Sequence, residues 1–206
     1  MRRPAFIARQ ASRPSGLLGR MLLRVMARET SRFNAEILES LAPAAGEHIL
    51  EIGYGHGGAL AAAAAVAPDA RFSGIDISAD ARREAGRRCH ALLGTGRVDL
   101  RVGDSAALPW DAGVFDKAFS VNTLYFWSDP TKDLGEIRRV LRDQGRLVLG
   151  FRERSEAAAA SFPSPIYRFH TTGELTALLE VAGFQAIDVH EAASGGGLWI
   201  MVARAR

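Results

Sequence analysis

The chain has 206 residues, 48% hydrophobic and 24% charged, with a formal net charge of +3; this is enough for one soluble domain with a full core. No apolar run approaches the ~20 residues needed to span a bilayer, and the single cysteine, Cys89, excludes an intramolecular disulfide and fits a reducing, cytoplasmic compartment. Residues 1–28 hold seven arginines and no acid, leaving 19 basic against 23 acidic residues, a balance that argues against a basic nucleic-acid groove on the body.

In chain order, residues 1–16 read as a basic flexible leader, a composition shared with transit peptides. Leu17, Leu18, Met21, Leu22, Val25 and Met26 recur at helical spacing and run on into Phe33, Ile37, Leu38 and Leu41. No cleavage-site pattern interrupts them, so residues 17–42 are expected to form a helical cap on a single domain of residues 17–206. A strand is expected over 48–53, followed by the glycine-rich turn Gly53-Tyr54-Gly55-His56-Gly57-Gly58 and an alanine-rich helix over 58–67. Glycines there let the backbone turn tightly and approach a ligand where a Cβ would clash. Gly53, Gly55 and Gly58 satisfy the G-x-G-x-x-G dinucleotide spacing, and Glu51, Gly53, Gly55 and Gly57 satisfy E-x-G-x-G-x-G. A carboxylate at Glu51 repels a pyrophosphate but suits a ligand carrying an ammonium and a sulfonium.

Further strands are expected over 71–77, 98–104, 115–121 and 146–151, with apolar interiors suited to burial on both faces. Helices over 79–93 and 130–141 alternate with them; Asp129 caps the second and Pro130 suits its first turn. Asp76 ends the second strand, nineteen residues beyond Gly57, where an acid can accept from both ribose hydroxyls. Gly145 is expected to stop the helix before the next strand. Toward the carboxyl end, Thr171 or Thr172 caps a helix closed by Gly183. Two strand-like runs, 185–191 and 198–203, are separated by only six residues; that linker is too short for a parallel crossover, so they should pair as an antiparallel hairpin. The expected fold is α/β: a doubly wound, mostly parallel seven-stranded sheet with a C-terminal antiparallel hairpin and an N-terminal helical cap.

The E-x-G-x-G-x-G stretch, Asp76, Val102-Gly103-Asp104-Ser105-Ala106, Leu108-Pro109-Trp110 and the run from Leu134 to Leu147 together resemble class I S-adenosylmethionine-dependent methyltransferases, of the ubiquinone-biosynthesis type that acts on small molecules. The resemblance covers residues 47–151 and implies a cofactor core there, with S-adenosylmethionine as cofactor and no metal. It implies cofactor contacts at Glu51, Gly53, Tyr54, Gly55, Gly57, Asp76, Ile77, Gly103, Asp104, Ser105 and Asn122. In it, Asp104 meets the adenine amino group and the next backbone N–H meets a ring nitrogen; the large apolar residue that packs on the adenine is replaced here by Ala81, so Ile77 is expected to supply that packing. It also implies an acceptor-binding segment over 152–170, which holds Phe162, Tyr167 and Phe169. In-line methyl transfer needs a general base only if the acceptor must lose a proton; His56 and Tyr125 are the candidates, with Tyr167 and His170 behind them. Two other classes share parts of the pattern: an NAD(P)-dependent oxidoreductase, and a non-catalytic S-adenosylmethionine-binding module.

Overall fold

The computed structural model describes residues 5–12, 16, 19, 30–162 and 166–206. Seven strands form one sheet: β1 (His48–Ile52), β2 (Arg71–Asp76), β3 (Val98–Val102), β4 (Phe115–Val121), β5 (Leu141–Arg152), β6 (Phe184–Glu191) and β7 (Leu198–Ala205). Their order across the sheet is β3-β2-β1-β4-β5-β7-β6. The first five are parallel, while β7 runs antiparallel to both β5 and β6. The hairpin expected from its short linker is present, and β7 lies inside it, between β5 and β6.

The helices are α1 (Ala5–Ser12), α2 (Ser31–Leu41), α3 (Gly58–Val66), α4 (Ala79–Arg88), α5 (His90–Gly94), α6 (Pro130–Val140), α7 (Glu156–Ser161) and α8 (Thr172–Val181). They cover both faces, because alternate strand residues point to opposite sides. Ile49, Phe72, Phe119 and Val148 pack under α2 and α3; Leu50, Ala118, Leu147 and Leu149 pack against α6 and α8. A Cβ at Gly150 of β5 would lie 2.9 Å from the Phe33 ring, so glycine there lets α2 sit close on the sheet. At α8 the Thr171 side chain accepts from the Glu174 N–H while the Glu174 side chain accepts from the Thr171 N–H, a complete capping box.

Three expectations change. Residues 5–12, read as part of a flexible leader, form α1, and Ala8 is buried beside Tyr125 and Tyr167. The helix expected over 79–93 breaks at Cys89, whose thiol packs against the backbone of Gly57. Between α6 and the main run of β5 the left-handed residue is Gln144 (φ +62), not Gly145. Gly145 is required for a different reason: a Cβ there would stand 2.8 Å from the Arg142 carbonyl oxygen. The apolar stripe at Leu17, Leu18, Met21, Leu22, Val25 and Met26 lies outside the described residues, as do Pro163 and Pro165.

Candidate active site

The chain runs outward in one direction from β1 to β2 and β3, and in the other from β4 to β5, so strand order reverses between β1 and β4. The carboxyl ends of strands flanking such a reversal form a crevice with no crossover helix above it. Here the crevice is a cavity of about 400 Å³, walled by the turns after β1, β2, β3 and β4.

The β1 turn is built on three left-handed glycines, Gly53 (φ +75), Gly55 (φ +53) and Gly57 (φ +73). A Cβ on Gly53 would collide with the Thr123 side chain, so the β1 and β4 turns meet only because that Cβ is missing. The Gly53 N–H donates to Ile75 O at 2.7 Å. Asp76 fastens the turn from below: its Oδ2 accepts from the Gly55 N–H at 2.8 Å and its Oδ1 from the Ser78 N–H at 2.9 Å. Each oxygen keeps a second lone pair for a ligand. Burial raises the Asp76 pKa, against the pull of those two N–H groups.

Glu51, the last-but-one residue of β1, is only 3% exposed and its Oε2 has no hydrogen-bond partner. Burial, with Asp76 second, pushes its pKa up to about 8. The Leu60 N–H pulls the other way, but a buried carboxyl with one oxygen unpartnered and another acid opposite is costly, and a cation in the cavity would relieve it.

On the β4 side, Asn122 holds a left-handed backbone (φ +57), a strained conformation for a residue with a Cβ. Its N–H donates to Gly150 O at 2.8 Å, and its Oδ1 accepts from the Tyr125 hydroxyl at 2.6 Å. Phe126 and Trp127 follow in the wall. At the other end Gly103, Asp104 and Ser105 face the cavity, and Ile77 stands 44% exposed at its edge.

Known proteins are similar to this chain in sequence and fold. A methyltransferase domain family matches residues 50–149. An O-methyltransferase of Penicillium expansum is 33% identical over 171 residues, covering 77% of this chain and 59% of the relative. An uncharacterised methyltransferase of Bacillus subtilis is 28% identical over 165 residues, covering 80% of this chain and 86% of the relative. A SAM-dependent methyltransferase from Aquifex aeolicus has the same fold, with a TM-score of 0.71, 22% identity, and coverage of 84% of this chain and 89% of that one. The fold is that of the class I S-adenosylmethionine-dependent methyltransferases, and residues 50–149 match a methyltransferase domain family. Against the first curated relatives it spans 45% and 59% of their length.

S-adenosylmethionine is the cofactor of proteins with this fold, and the cavity fits it: a glycine cradle, a buried acid with one unpartnered oxygen for a cationic group, and a second acid with free lone pairs. Of the residues expected to touch the cofactor, Glu51, Gly53, Tyr54, Gly55, Asp76, Ile77, Gly103, Asp104, Ser105 and Asn122 all lie in its wall. Gly57 does not. It faces α4, where a Cβ would stand 2.9 Å from that of Ala85, so its task is to let α3 and α4 pack. Tyr54 presents backbone to the turn while its ring packs on Gly74 and its hydroxyl donates to Arg101 O at 3.0 Å.

Among the base candidates His56 lines the cavity. Burial, then Arg88, lowers its pKa, and its Nδ1 is buried without a partner. Tyr125 lies behind Phe126, in an aromatic cluster with Tyr167 and Phe169. His170 sits beside Glu174 at the start of α8. Sequence reading missed Ser12, Thr30, Asn34 and Asp133, which complete the wall. A buried aspartate in the first turns of α6 was the available signal for the last.

Among the described residues no group of three or more His, Cys, Asp or Glu is arranged to hold a metal, and no helix is long and apolar enough to cross a membrane.

Proposed function

We propose that this chain moves the methyl group of S-adenosylmethionine to an oxygen of a small-molecule acceptor bound in the same cavity. The observation that carries this is the buried Glu51 carboxyl, with its Oε2 unpartnered, behind a left-handed glycine turn and opposite Asp76. A pyrophosphate would meet two acids there; an amino acid ammonium and a sulfonium would neutralise them. The name of the Penicillium relative supports oxygen as the receiving atom.

The bound cofactor supplies a methyl group on a sulfonium, with a neutral thioether as leaving group. The protein's work is then alignment and exclusion of water. Gly53, Gly55 and Asn122 shape the backbone around the amino acid end, Asp76 takes the ribose hydroxyls, and Gly103, Asp104 and Ser105 meet the purine with Ile77 against its face. Phe126 and Trp127 border the space left for the acceptor, with Ser12, Thr30 and Asn34 opposite. The segment 166–170 backs that border: the Arg168 N–H donates to Tyr125 O at 2.9 Å and its guanidinium to Ser128 O at 2.8 Å. His56, held neutral by its surroundings, is the group to accept a hydroxyl proton.

The test is calorimetric titration with S-adenosylhomocysteine, NAD and NADP, followed by turnover of S-adenosylmethionine with a panel of hydroxylated acceptors. Binding of S-adenosylhomocysteine alone, and its release during turnover, is expected. Binding of NAD or NADP would sink the reading. Cofactor binding without turnover on any acceptor would favour a binding module over an enzyme.

A further inference from the structure

Asp133 is 1% exposed, forms part of the cavity wall, and keeps one oxygen, Oδ2, without a hydrogen-bond partner. It lies on α6, and that helix grips the loop after β3 along one face, at residues three apart. Ser105 Oγ donates to Asp133 Oδ1. The Leu108 N–H donates to Glu136 Oε2 at 2.8 Å. Arg139 donates to Leu108 O at 3.0 Å and Trp110 O at 2.8 Å, and is itself paired with Glu136. Residues three apart share a helix face, so the three rungs fasten the loop that carries Asp104 and Ser105. Only the first rung reaches the cavity.

That rung has a chemical consequence. A serine hydroxyl has one proton to donate and two lone pairs to accept with. At Ser105 the proton is committed to a carboxylate, a charge-assisted bond stronger than one to a neutral acceptor. What remains for a ligand is acceptor capacity alone. Asp104 beside it is a carboxylate, whose Oδ1 takes the Ala106 N–H at 3.0 Å. The Asp104 and Ser105 side chains therefore offer a ligand lone pairs and no donor.

We propose that Asp133 is a positioning residue for cofactor choice: by holding the Ser105 proton it makes the Asp104 and Ser105 side chains at the purine end accept only, so that a 6-aminopurine is selected over a 6-oxopurine. This rests on the reading of Asp104 and Ser105 as the purine end. An adenine offers two amino hydrogens there, whereas a 6-oxopurine offers an oxygen that would face lone pairs, leaving buried polar groups unpaired.

The experiment compares binding of S-adenosylhomocysteine with its 6-oxo analogue, S-inosylhomocysteine, to wild type, Asp133→Ala, Asp133→Asn and Ser105→Ala. Wild type should prefer the amino form by roughly a hundredfold, since a site built for hydrogen bonding rejects a mismatched partner strongly. Asp133→Ala frees the Ser105 proton and should narrow that ratio about tenfold; Asp133→Asn keeps a neutral acceptor for it and should narrow the ratio less. Ser105→Ala should also narrow it, through loss of an acceptor, and it leaves α6 untouched should the Asp133 variants fold poorly. A merely structural Asp133 would weaken both ligands equally and leave the ratio unchanged; that outcome overturns the proposal. So does a wild type that binds both ligands equally well, with the cofactor site standing. Failure of wild type to bind either ligand would overturn the cofactor site first, and this proposal with it.

Discussion

Replacing Glu51 with glutamine tests the electrostatics of the cavity most directly. The carboxyl is buried, lacks a partner at Oε2 and faces Asp76, which together move its pKa from 4.5 to about 8. The native state therefore holds the Glu51 proton more tightly than the unfolded chain does. Its contribution to stability is full below pH 4.5 and is lost progressively as pH rises toward 8, at up to about 1.4 kcal/mol per pH unit and about 5 kcal/mol in all. Glutamine mimics the protonated acid and does not titrate, so this slope should vanish in Glu51→Gln. For a domain of this size 1 kcal/mol corresponds to roughly 2–4 °C in Tm. Between pH 5 and 8 the wild-type Tm should then fall about 10 °C further than that of the variant. Thermal melts of both proteins across that range read the difference directly, because every other titrating group is common to the two. Saturating S-adenosylhomocysteine should shrink it, since an ammonium beside Glu51 favours the ionised form, and binding should release a proton, visible as a buffer-dependent enthalpy. Parallel Tm curves for the two proteins would refute the reasoning.

Gly53→Ala places a Cβ in a left-handed backbone and into Thr123, so S-adenosylhomocysteine affinity should drop at least about tenfold, with about 1–2 kcal/mol of stability lost to the backbone alone; an unchanged Kd would show that the turn does not cradle the cofactor. Tyr125→Phe removes the 2.6 Å bond that buttresses Asn122, and should cost about 1 kcal/mol in a urea melt together with a few-fold loss of cofactor affinity. His56→Ala should lower kcat on a hydroxylated acceptor while leaving S-adenosylhomocysteine binding within about threefold; full kcat would remove His56 as the base. Thr171→Ala breaks the α8 capping box at a residue outside the cavity wall, so about 1 kcal/mol should be lost with the cofactor Kd unmoved.

Much of this protein is legible along the chain. Strand and helix types follow from local periodicity, and their ends from Pro130, Asp129, Thr171 and the glycine turn, all signals contained within a few residues. The acid before that turn, and the acids at the ends of the second and third strands, mark the cofactor side for the same reason: each stands where its own strand stops. The rest depends on what distant elements bring together. Gly57 and Gly53 share one motif and both have left-handed backbones, yet one faces Ala85 of α4 and the other Thr123 after β4, and only packing separates those tasks. Tyr125 carries a hydroxyl suited to catalysis, but the aromatic cluster with Tyr167 and Phe169 draws it behind the wall. Ser12 reaches the cavity because α1 packs on Tyr125 and Tyr167, Thr30 and Asn34 because α2 packs on the sheet, and Asp133 because α6 lies along the loop after β3. The hairpin was readable from its six-residue linker. The insertion of β7 between β5 and β6 was not, because a short linker fixes that the two strands pair but not which of them meets β5; that depends on the assembled layers rather than on any segment.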